Sequence, residues 1–562
     1  MKKFIFSLIL MLIFLSSCSI SDILNTKILM GTDEPSRNDL EISKYNNQPL
    51  RENKSIYIND SNNVIFLYTT VLNPKADSEN FTFSMMNSLT GGFVPEFNSI
   101  IAEGQENSGP LAGFYGFGVN KANSSITLRG NIGNIEMRSY KIRVNDDVEQ
   151  WHMQKTLNLN KHLQDLSRSK NKFYYYLVSQ LNDLVGFRTQ FINLYIKDLT
   201  NTPFATTFQN YGIYTNVEQP NANWLSTHGL DKKGQVYKAN NFNFERNATI
   251  LKETTDKEYN LDEFQKILEI QQAKNNQKLI KMLDEINDES KDINEVFDHN
   301  FNRKNFLTYT ALNILVGNFS NTNQNYLLYS PKKALTWYFI PWDNEDILFS
   351  PLSPKKNSPP DKLFGVALYD SNLLYRRFFS DENNKKELDA VIKEVKNTLL
   401  PKVNSITDNY SKIMSKYLLK DPDIAHLKNS VDLSDDYIKS FKDIMQNNYD
   451  KYIENRKLPT SPYINSITQN QNEITVNWSP SKSTNNNTIK YSVEFYYNEN
   501  MTNIALKLDN ISENKITTNK LSTGTYFCRI NAIDGVNIQM NSNKYINDFE
   551  KTFYGVFKII VK

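Results

Sequence analysis

From Ser55 onward the chain alternates short apolar runs with polar breaks at a spacing that suits strands. "IYIND", "NVIFLYTTVL" and "FTFSMM" are rich in β-branched and aromatic residues and are interrupted by Asn, Asp and Pro. "SSITLRG" and "RSYKIRV" carry the pattern to Val144, with "GNIGNIE" as the turn between them. The period then changes. Apolar positions three and four apart predict helices in "SRSKNKFYYYLVSQLNDLV" and, strongly, in "LDEFQKILEIQQAKNNQKLIKMLDEI" and "RKNFLTYTALNILVGN". The strands "FINLYIKD" and "YGIYTNVEQ" lie between them, and helical spacing returns from about Glu382 to Glu454. Beyond Pro459 and Pro462, five short strands follow between Asn- and Ser-rich turns: "NEITVNW", "KYSVEFYY", "IALKL", "GTYFCRINAI" and "YGVFKIIV". That pattern predicts a β-sandwich of about 100 residues.

A chain of 562 residues is too long for a single core. The expected class is α+β, with a β-rich part over 53–145, a helical part running to 456 and an all-β sandwich over 460–562. The N-terminus adds an address. "MKKFIFSLILMLIFLSSC" has two lysines, an apolar run too short to span a bilayer, then small residues and a cysteine. Leu15-Ser16-Ser17-Cys18 resembles a bacterial lipobox, which implies a signal peptide over 1–17 and lipidation at Cys18. Residues 18–52 are polar and aperiodic, as a tether would be. The chain is expected in the bacterial cell envelope, outside the cytoplasm and held to the membrane by lipid. Cys528 has no partner for an intramolecular disulfide. With 64 basic and 62 acidic residues the net charge is +2, so no broad field gathers nucleic acid, and no nucleic-acid partner is expected.

Chemistry narrows to one region. There is no GxxxxGK[ST] loop, no HExxH and no GxSxG elbow. His152, His162, His228, His299 and His426 lack metal-ligand spacing and read as surface or core residues. What remains is "GNFSNTNQNYLLY" at 317–329 and "PWDNED" at 341–346. Phosphoryl transfer needs a carboxylate to position the nucleophile, an Asn or Asp to hold a metal, and a further Asp for the metal bridging the phosphates. Ser320 and Asn325 have the five-residue separation of that first pair in protein kinases, and Asp343 follows after two strands that suit a hairpin. Taken alone, "PWDNED" also reads as an exposed acidic turn. The Gly-rich run from Glu103 to Gly118 reads either as a lid over phosphates or as a turn between strands.

Together with "ITLRGN", "RSYKIRV", "LNLNKHLQDLSRSKNKF", "FRTQFINLYIKD", "YGIYTNVEQPN" and "GLDKKGQVYKANNFNFE", these segments resemble the CotH kinase family, collinearly over roughly 100–350. The resemblance implies an atypical, protein-kinase-like bilobal domain that binds ATP with Mg²⁺ or Mn²⁺ and phosphorylates Ser residues of proteins. It implies Asn325 and Asp343 as metal ligands, Arg129, Arg138 and Lys141 as phosphate contacts, and Glu218 on a strand facing the nucleotide. Two positions depart from the family pattern. Ser320 stands where the usual catalytic Asp would be, and Arg138 stands for the usual Lys, a change that is not neutral at a phosphate. Arg138, Tyr140 and Ile142 share one strand face, and Lys141 and Arg143 the other. Glu345 or Asp346 is the carboxylate placed to compensate for Ser320. Trp478 and "LSTGTYFCRINAID" resemble a fibronectin type III module. The expectation is an envelope kinase acting on itself or on neighbouring proteins. The alternatives are a pseudokinase serving as scaffold or adhesin, or a phosphate-ester hydrolase at the same metal site. The loop 350–362, rich in Pro and Lys, is expected as a flap near that site.

Overall fold

The structure is a computed structural model describing residues 47–562 except 60–61, 131–132, 134–135, 202, 355–357, 428–429 and 471–472. Cys18, the signal segment and most of the tether lie outside the described residues, as do parts of "GNIGNIE" and of the 350–362 loop.

Eight strands build the first sheet: β1 (Val64–Pro74), β2 (Phe97–Gln105), β3 (Gly109–Pro110), β4 (Ser124–Arg129), β5 (Ser139–Val144), β6 (Thr156–Asn160), β7 (Thr189–Asp198) and β8 (Gln209–Glu218). Their order is β1-β7-β8-β6-β5-β4-β2-β3, and β1 also pairs with β2, so seven strands close into a ring. Closure removes the exposed edges of an open sheet. Period-two alternation decides what fills the ring. In β5, Tyr140, Ile142 and Val144 are buried while Ser139, Lys141 and Arg143 are half-buried. The inward rows supply Leu67, Phe97, Ile101, Ile126, Tyr140, Ile142, Leu157 and Leu194 to one core, which Phe83, Met86 and Trp151 complete.

Two segments expected as strands are not strands. "FTFSMM" forms the helix Phe83–Asn87, capped by the Thr82 side chain on the Met85 amide, and drops Phe83 and Met86 into the ring core. "IYIND" lies largely within the 3₁₀ segment Lys54–Asn59. In both, a cap or local turn overrides β-propensity.

A second sheet, of order β10-β9-β11-β12, joins β9 (Gln235–Ala239), β10 (Leu268–Gln272), β11 (Tyr326–Ser330) and β12 (Tyr338–Pro341). Here one of the two strong helical expectations fails in its middle. "LDEFQKI" and "QKLIKMLDEIN" are helices, but Leu268–Gln272 between them pairs antiparallel with β9, Leu268 opposite Ala239. The apolar spacing served burial in both conformations, and pairing with a free strand edge won. Around this sheet pack the helices Lys170–Ser179, Arg303–Val316, Glu382–Tyr417 and Phe441–Asn455, forming the largest core, which reaches Phe191, Ile213 and Val217 on the outer face of the ring. Among the described residues, no helix is long and apolar enough to cross a membrane.

Beyond Pro462 the chain is all-β. One sheet holds β13 (Ile464–Asn470), β14 (Glu473–Trp478) and β17 (Lys515–Thr518). The other holds β15 (Lys490–Tyr496), β16 (Ile504–Ile511), β18 (Gly524–Ile533), β19 (Ile538–Met540) and β22 (Phe557–Val561). Between them lie Ile474, Val476, Trp478, Tyr491, Val493, Cys528 and Ile530, and the Tyr526 hydroxyl donates to the Ser522 carbonyl at 3.0 Å. A separate hairpin, β20 (Lys544–Ile546) and β21 (Thr552–Tyr554), turns back toward the helical part.

Candidate functional site

The site loop begins where the helix Arg303–Val316 ends. Gly317 takes the left-handed cap conformation, φ 65°, which glycine adopts without strain, and the Asn318 amide closes on the Asn313 carbonyl at 2.9 Å. The asparagines of the loop then explain themselves as structure. Buried Asn318 donates to Asn313 Oδ1 at 3.1 Å and to Asn344 Oδ1 at 2.9 Å. Its own Oδ1 accepts from the Ser320 amide at 3.2 Å and the Ser320 hydroxyl at 3.1 Å. Asn321 is held between the Tyr309 and Tyr369 hydroxyls, and Asn323 donates to Asn241 at 2.7 Å. One residue, Asn318, thus ties the helix end, the Ser320 position and the acidic turn together.

Asn325 and Asp343 flank the β11–β12 hairpin, whose register pairs Tyr326 with Pro341, and so emerge at the same end of it. Both have left-handed backbone, φ 61° and 52°, a conformation that Asn and Asp tolerate better than other side chains. Asn325 Nδ2 donates to Ser320 Oγ at 3.2 Å. In the turn, Asp343 and Glu345 are exposed and Asn344 between them is buried. The protein around Asp343, and next the Glu345 charge, push its carboxyl above the ordinary range against Lys238, Arg129 and His162. A carboxylate that water reaches yet protein surrounds is one lining a cleft.

Glu345 pairs with His162, Oε1 to Nδ1 at 2.7 Å. The sequence pattern marks His162 only as a structural histidine, and its one sign of a role was its place in "LNLNKHLQDLSRSKNKF". The loop that carries it is wound around Asp165, which accepts from the Ser167 amide at 2.9 Å, the Ser167 hydroxyl at 2.8 Å and the Lys170 amide at 2.9 Å. Arg168 locks it further, donating to the His162 carbonyl at 2.7 Å. Burial alone would lower the His162 pKa, but the charge and hydrogen bond of Glu345 raise it. The protein around Glu345 would raise its carboxyl, yet His162, Arg129 and Lys170 bring it below the ordinary value. Nε2 of His162 has no hydrogen-bond partner among the described residues.

Register sorts the phosphate candidates. Thr127, Lys141 and Asn158 form one outward row, and Arg129 and Ser139 begin the next. Arg129 donates to Asn160 Oδ1 at 3.0 Å and acts electrostatically on both Asp343 and Glu345. Glu218 belongs to the other face, in the row Ile126, Ile142, Leu157, Glu218. It accepts from the Arg188 amide and Nε, each at 2.8 Å, from Arg188 Nη2, and from His228 Nε2 at 2.8 Å, while His228 Nδ1 meets Glu52 at 2.7 Å. Arg138 is spread over three backbone carbonyls, Asn87 at 2.8 Å, Gly133 at 2.9 Å and Leu89 at 2.5 Å. The structure therefore gathers Ser320, Asn325, Asp343, Glu345, Arg129 and His162. Lys141 shares the outward face with Arg129, and Glu218 and Arg138 are engaged elsewhere.

An amide, a carboxylate and neighbouring water access suit a hard cation such as Mg²⁺ or Mn²⁺. Among the described residues no group of three or more His, Cys, Asp or Glu is arranged around a metal position. A cation here would complete its shell with water and phosphate oxygens, the usual habit of Mg²⁺.

The fold and site thus define an α+β protein whose acidic hairpin end meets a basic flank of a closed strand ring. The family described as CotH kinase protein matches residues 126–458, more than half of the chain, and the chain belongs to that family. Membership points to an atypical kinase-like function. No curated protein matches the chain.

Proposed function

We propose that this protein is an atypical kinase of the cell envelope, which binds ATP with Mg²⁺ or Mn²⁺ and transfers phosphate to serine of itself or of a neighbouring protein. The observation that carries this is the hairpin end presenting Asn325 and Asp343 toward the Arg129 flank in a chain of the CotH kinase family. Asn325 and Asp343 would hold the cation, which when bound neutralises charge on the phosphates. Arg129, with Lys141 on the same face, would receive the phosphate oxygens. Ser320 is no base: its hydroxyl is committed to Asn318 and Asn325 and cannot take up a proton usefully near neutral pH. The Glu345–His162 pair is the candidate to accept the proton of the acceptor hydroxyl.

In the same reading, the strand ring and the helical part are the two lobes of a kinase-like fold, joined over 53–456. The region 460–562 is a fibronectin type III module, supported by Trp478 in its core and by the Tyr526 hydroxyl on the Ser522 carbonyl. Cys18 carries the lipid anchor. Ser320 favours a second reading, a site that binds nucleotide and does not turn it over. Intact-mass measurement of the soluble chain from residue 19 with ATP and either cation tests both. A cation-dependent gain of phosphate mass that disappears in Asp343→Ala supports the kinase. No gain in the natural sequence, with a gain in Ser320→Asp, supports the second reading. No gain in either chain, with no nucleotide binding, refutes both.

A further inference from the structure

The first described residues lie against the turn end of the second sheet. The Asn47 amide donates to Thr336 Oγ1 at 2.7 Å, and the Tyr338 hydroxyl donates to the Gln48 carbonyl at 2.7 Å. Further along, the Asn53 amide donates to the His228 carbonyl at 2.8 Å. Residues 47–53 therefore run from the β11–β12 turn to the turn that precedes β9.

Those two turns read "DKKG" at 231–234 and "PKKA" at 331–334. One carboxylate clamps them together. Asp231 accepts from the Lys233 amide at 2.9 Å and from the Lys332 amide at 2.9 Å, and the strand register places Ser330 opposite Gln235. Lys232, Lys233 and Lys333 are exposed and Lys332 is half-buried, while exposed Arg51 lies on the segment running between the turns. None of these cations forms an ion pair among the described residues. The carboxylates nearby are already committed, Asp231 to backbone amides and Glu52 to Lys54 and His228. Lys278 adds positive charge beneath, donating to the Pro331 and Ala334 carbonyls at 2.8 and 3.0 Å. In a chain of net charge +2 this is a concentrated basic surface. Like charges held side by side repel, and an anionic partner would offset that repulsion.

The acidic cleft is at the opposite end of the same hairpin. Tyr326 pairs with Pro341, so Asn325 and Asp343 leave at the open end, and the lysine turn closes the other, roughly 15 Å away along the strand.

We propose that this basic face docks on a membrane of anionic lipid, with Arg51, Lys232, Lys233, Lys332 and Lys333 meeting the headgroup phosphates. Two observations favour a membrane over a polyanion in solution. Asn47, through which residues 1–46 are joined, lies at this face, and residues 19–46 separate it from Cys18, a length for which a flexible chain averages about 30 Å. Docking in this pose also turns Asp343, Glu345 and Asp346 away from the anionic surface and leaves the cleft open to proteins alongside. The choice of a membrane rests on the lipid anchor proposed above, and the basic surface does not.

The test is sedimentation binding of the chain from residue 19, which keeps every described residue and lacks the lipidation position. The vesicles are phosphatidylcholine with and without phosphatidylglycerol. Binding should require phosphatidylglycerol and weaken as salt rises. Lys232→Gln, Lys233→Gln, Lys332→Gln and Lys333→Gln together should lower it about a hundredfold or more, at about fivefold per lysine. A charge-matched variant carrying Lys386→Gln, Lys393→Gln, Lys412→Gln and Lys520→Gln should bind as the natural chain does. Thermal unfolding run on each variant guards against misfolding. The proposal is overturned by absence of binding to the anionic vesicles, by equal binding of the folded four-lysine variant, or by an equal loss in the charge-matched variant. Tighter binding to soluble polyphosphate than to vesicles, per phosphate, also overturns it and makes the partner a polyanion. Intact mass of the full chain expressed in bacteria reads the anchor separately. An unmodified Cys18 beside retained vesicle binding would remove the anchor and keep the docking face, so the two claims fail separately.

Discussion

Glu218→Gln distinguishes a nucleotide contact from a structural ion network. In the natural chain the Glu218 carboxylate is 3 % exposed and is shared by Arg188 and His228, which also touches Glu52. The amide keeps the volume but removes the charge, leaving Arg188 buried without its carboxylate. Breaking one partner of a buried pair costs about 3–5 kcal/mol. The unfolding entropy of a domain of about 400 residues is roughly 0.8 kcal/mol per kelvin, so the midpoint should fall by about 4–6 °C. The pH dependence adds a signature. Burial opposes a charged His228, but Glu218 and Glu52 raise its pKa, so its contribution is full below the unfolded value of about 6.5 and is lost as pH rises through the folded one. Burial opposes charge on Glu52 and Glu218 too, but His228 and the other cations lower their pKa values. Their contribution is full above the ordinary value of 4.5 and is lost as pH falls through the folded ones. The gap between the natural chain and the Glu218→Gln variant should be widest in mildly acidic solution and narrow toward alkaline pH. Differential scanning calorimetry from mildly acidic to alkaline pH reads both. A midpoint shift below about 1 °C, or a gap independent of pH, refutes the network as described. An unchanged midpoint with tenfold weaker ATP binding would return Glu218 to the nucleotide.

Asp343→Asn should abolish cation-dependent nucleotide binding while leaving the unfolding midpoint unchanged or slightly higher, because it relieves the Glu345 repulsion that, after burial, holds the Asp343 carboxyl up; calorimetry with and without Mg²⁺ measures both. Ser320→Asp should raise any transfer rate by about 10²–10⁴, read as phosphate mass against time, and an unchanged rate would show that the Glu345–His162 pair already fills the role. Asn318→Ala removes the bridge between helix end, Ser320 and Asn344, and should cost about 2–3 kcal/mol with faster amide exchange confined to 317–325 and 343–346. Exchange spread evenly over the domain would contradict that bridging role.

The sequence made some of this visible and hid the rest for identifiable reasons. The α+β class and the all-β C-terminal region were legible because strand alternation and helical spacing are local signals, as in "SSITLRG" and "RKNFLTYTALNILVGN". Ring closure was not, since the β1–β2 and β2–β4 pairings depend on partners rather than on period. "LEIQQ" between two helices was misread because its spacing fits both conformations and only the free edge of β9 decides. At the site, "GNFSNTNQN" and "PWDNED" stood out by composition, whereas His162 is 183 residues from its partner Glu345 and no spacing rule reaches that far. Conversely, Arg138 has the charge of a phosphate contact but spends it on three carbonyls, something only the backbone of 87–89 and 133 reveals.

The backbone of the cleft bears on what a serine at 320 means. His162, Arg168, Asn325 and Asp343 all have left-handed φ, an arrangement that costs a non-glycine residue on the order of 1–2 kcal/mol. Such conformations persist only where surrounding bonds over-determine them. Here the Asn325 amide is fixed on the Ala239 carbonyl at 3.1 Å, Arg168 is tied to His162, and Asn344 is held by Asn318. None of these three restraints uses an atom of the Ser320 side chain, which adds one bond from Asn325 Nδ2 and one to Asn318 Oδ1. Ser320 itself has no left-handed backbone, and its hydroxyl takes up hydrogen bonds that the surrounding amides already offer. Ser320 therefore supplies no proton acceptor, while Asn325 and Asp343 keep their backbone without relying on it. On the function proposed above, a chain built this way should keep cation-dependent nucleotide binding whatever its turnover, and calorimetry with and without Mg²⁺ measures that binding apart from transfer.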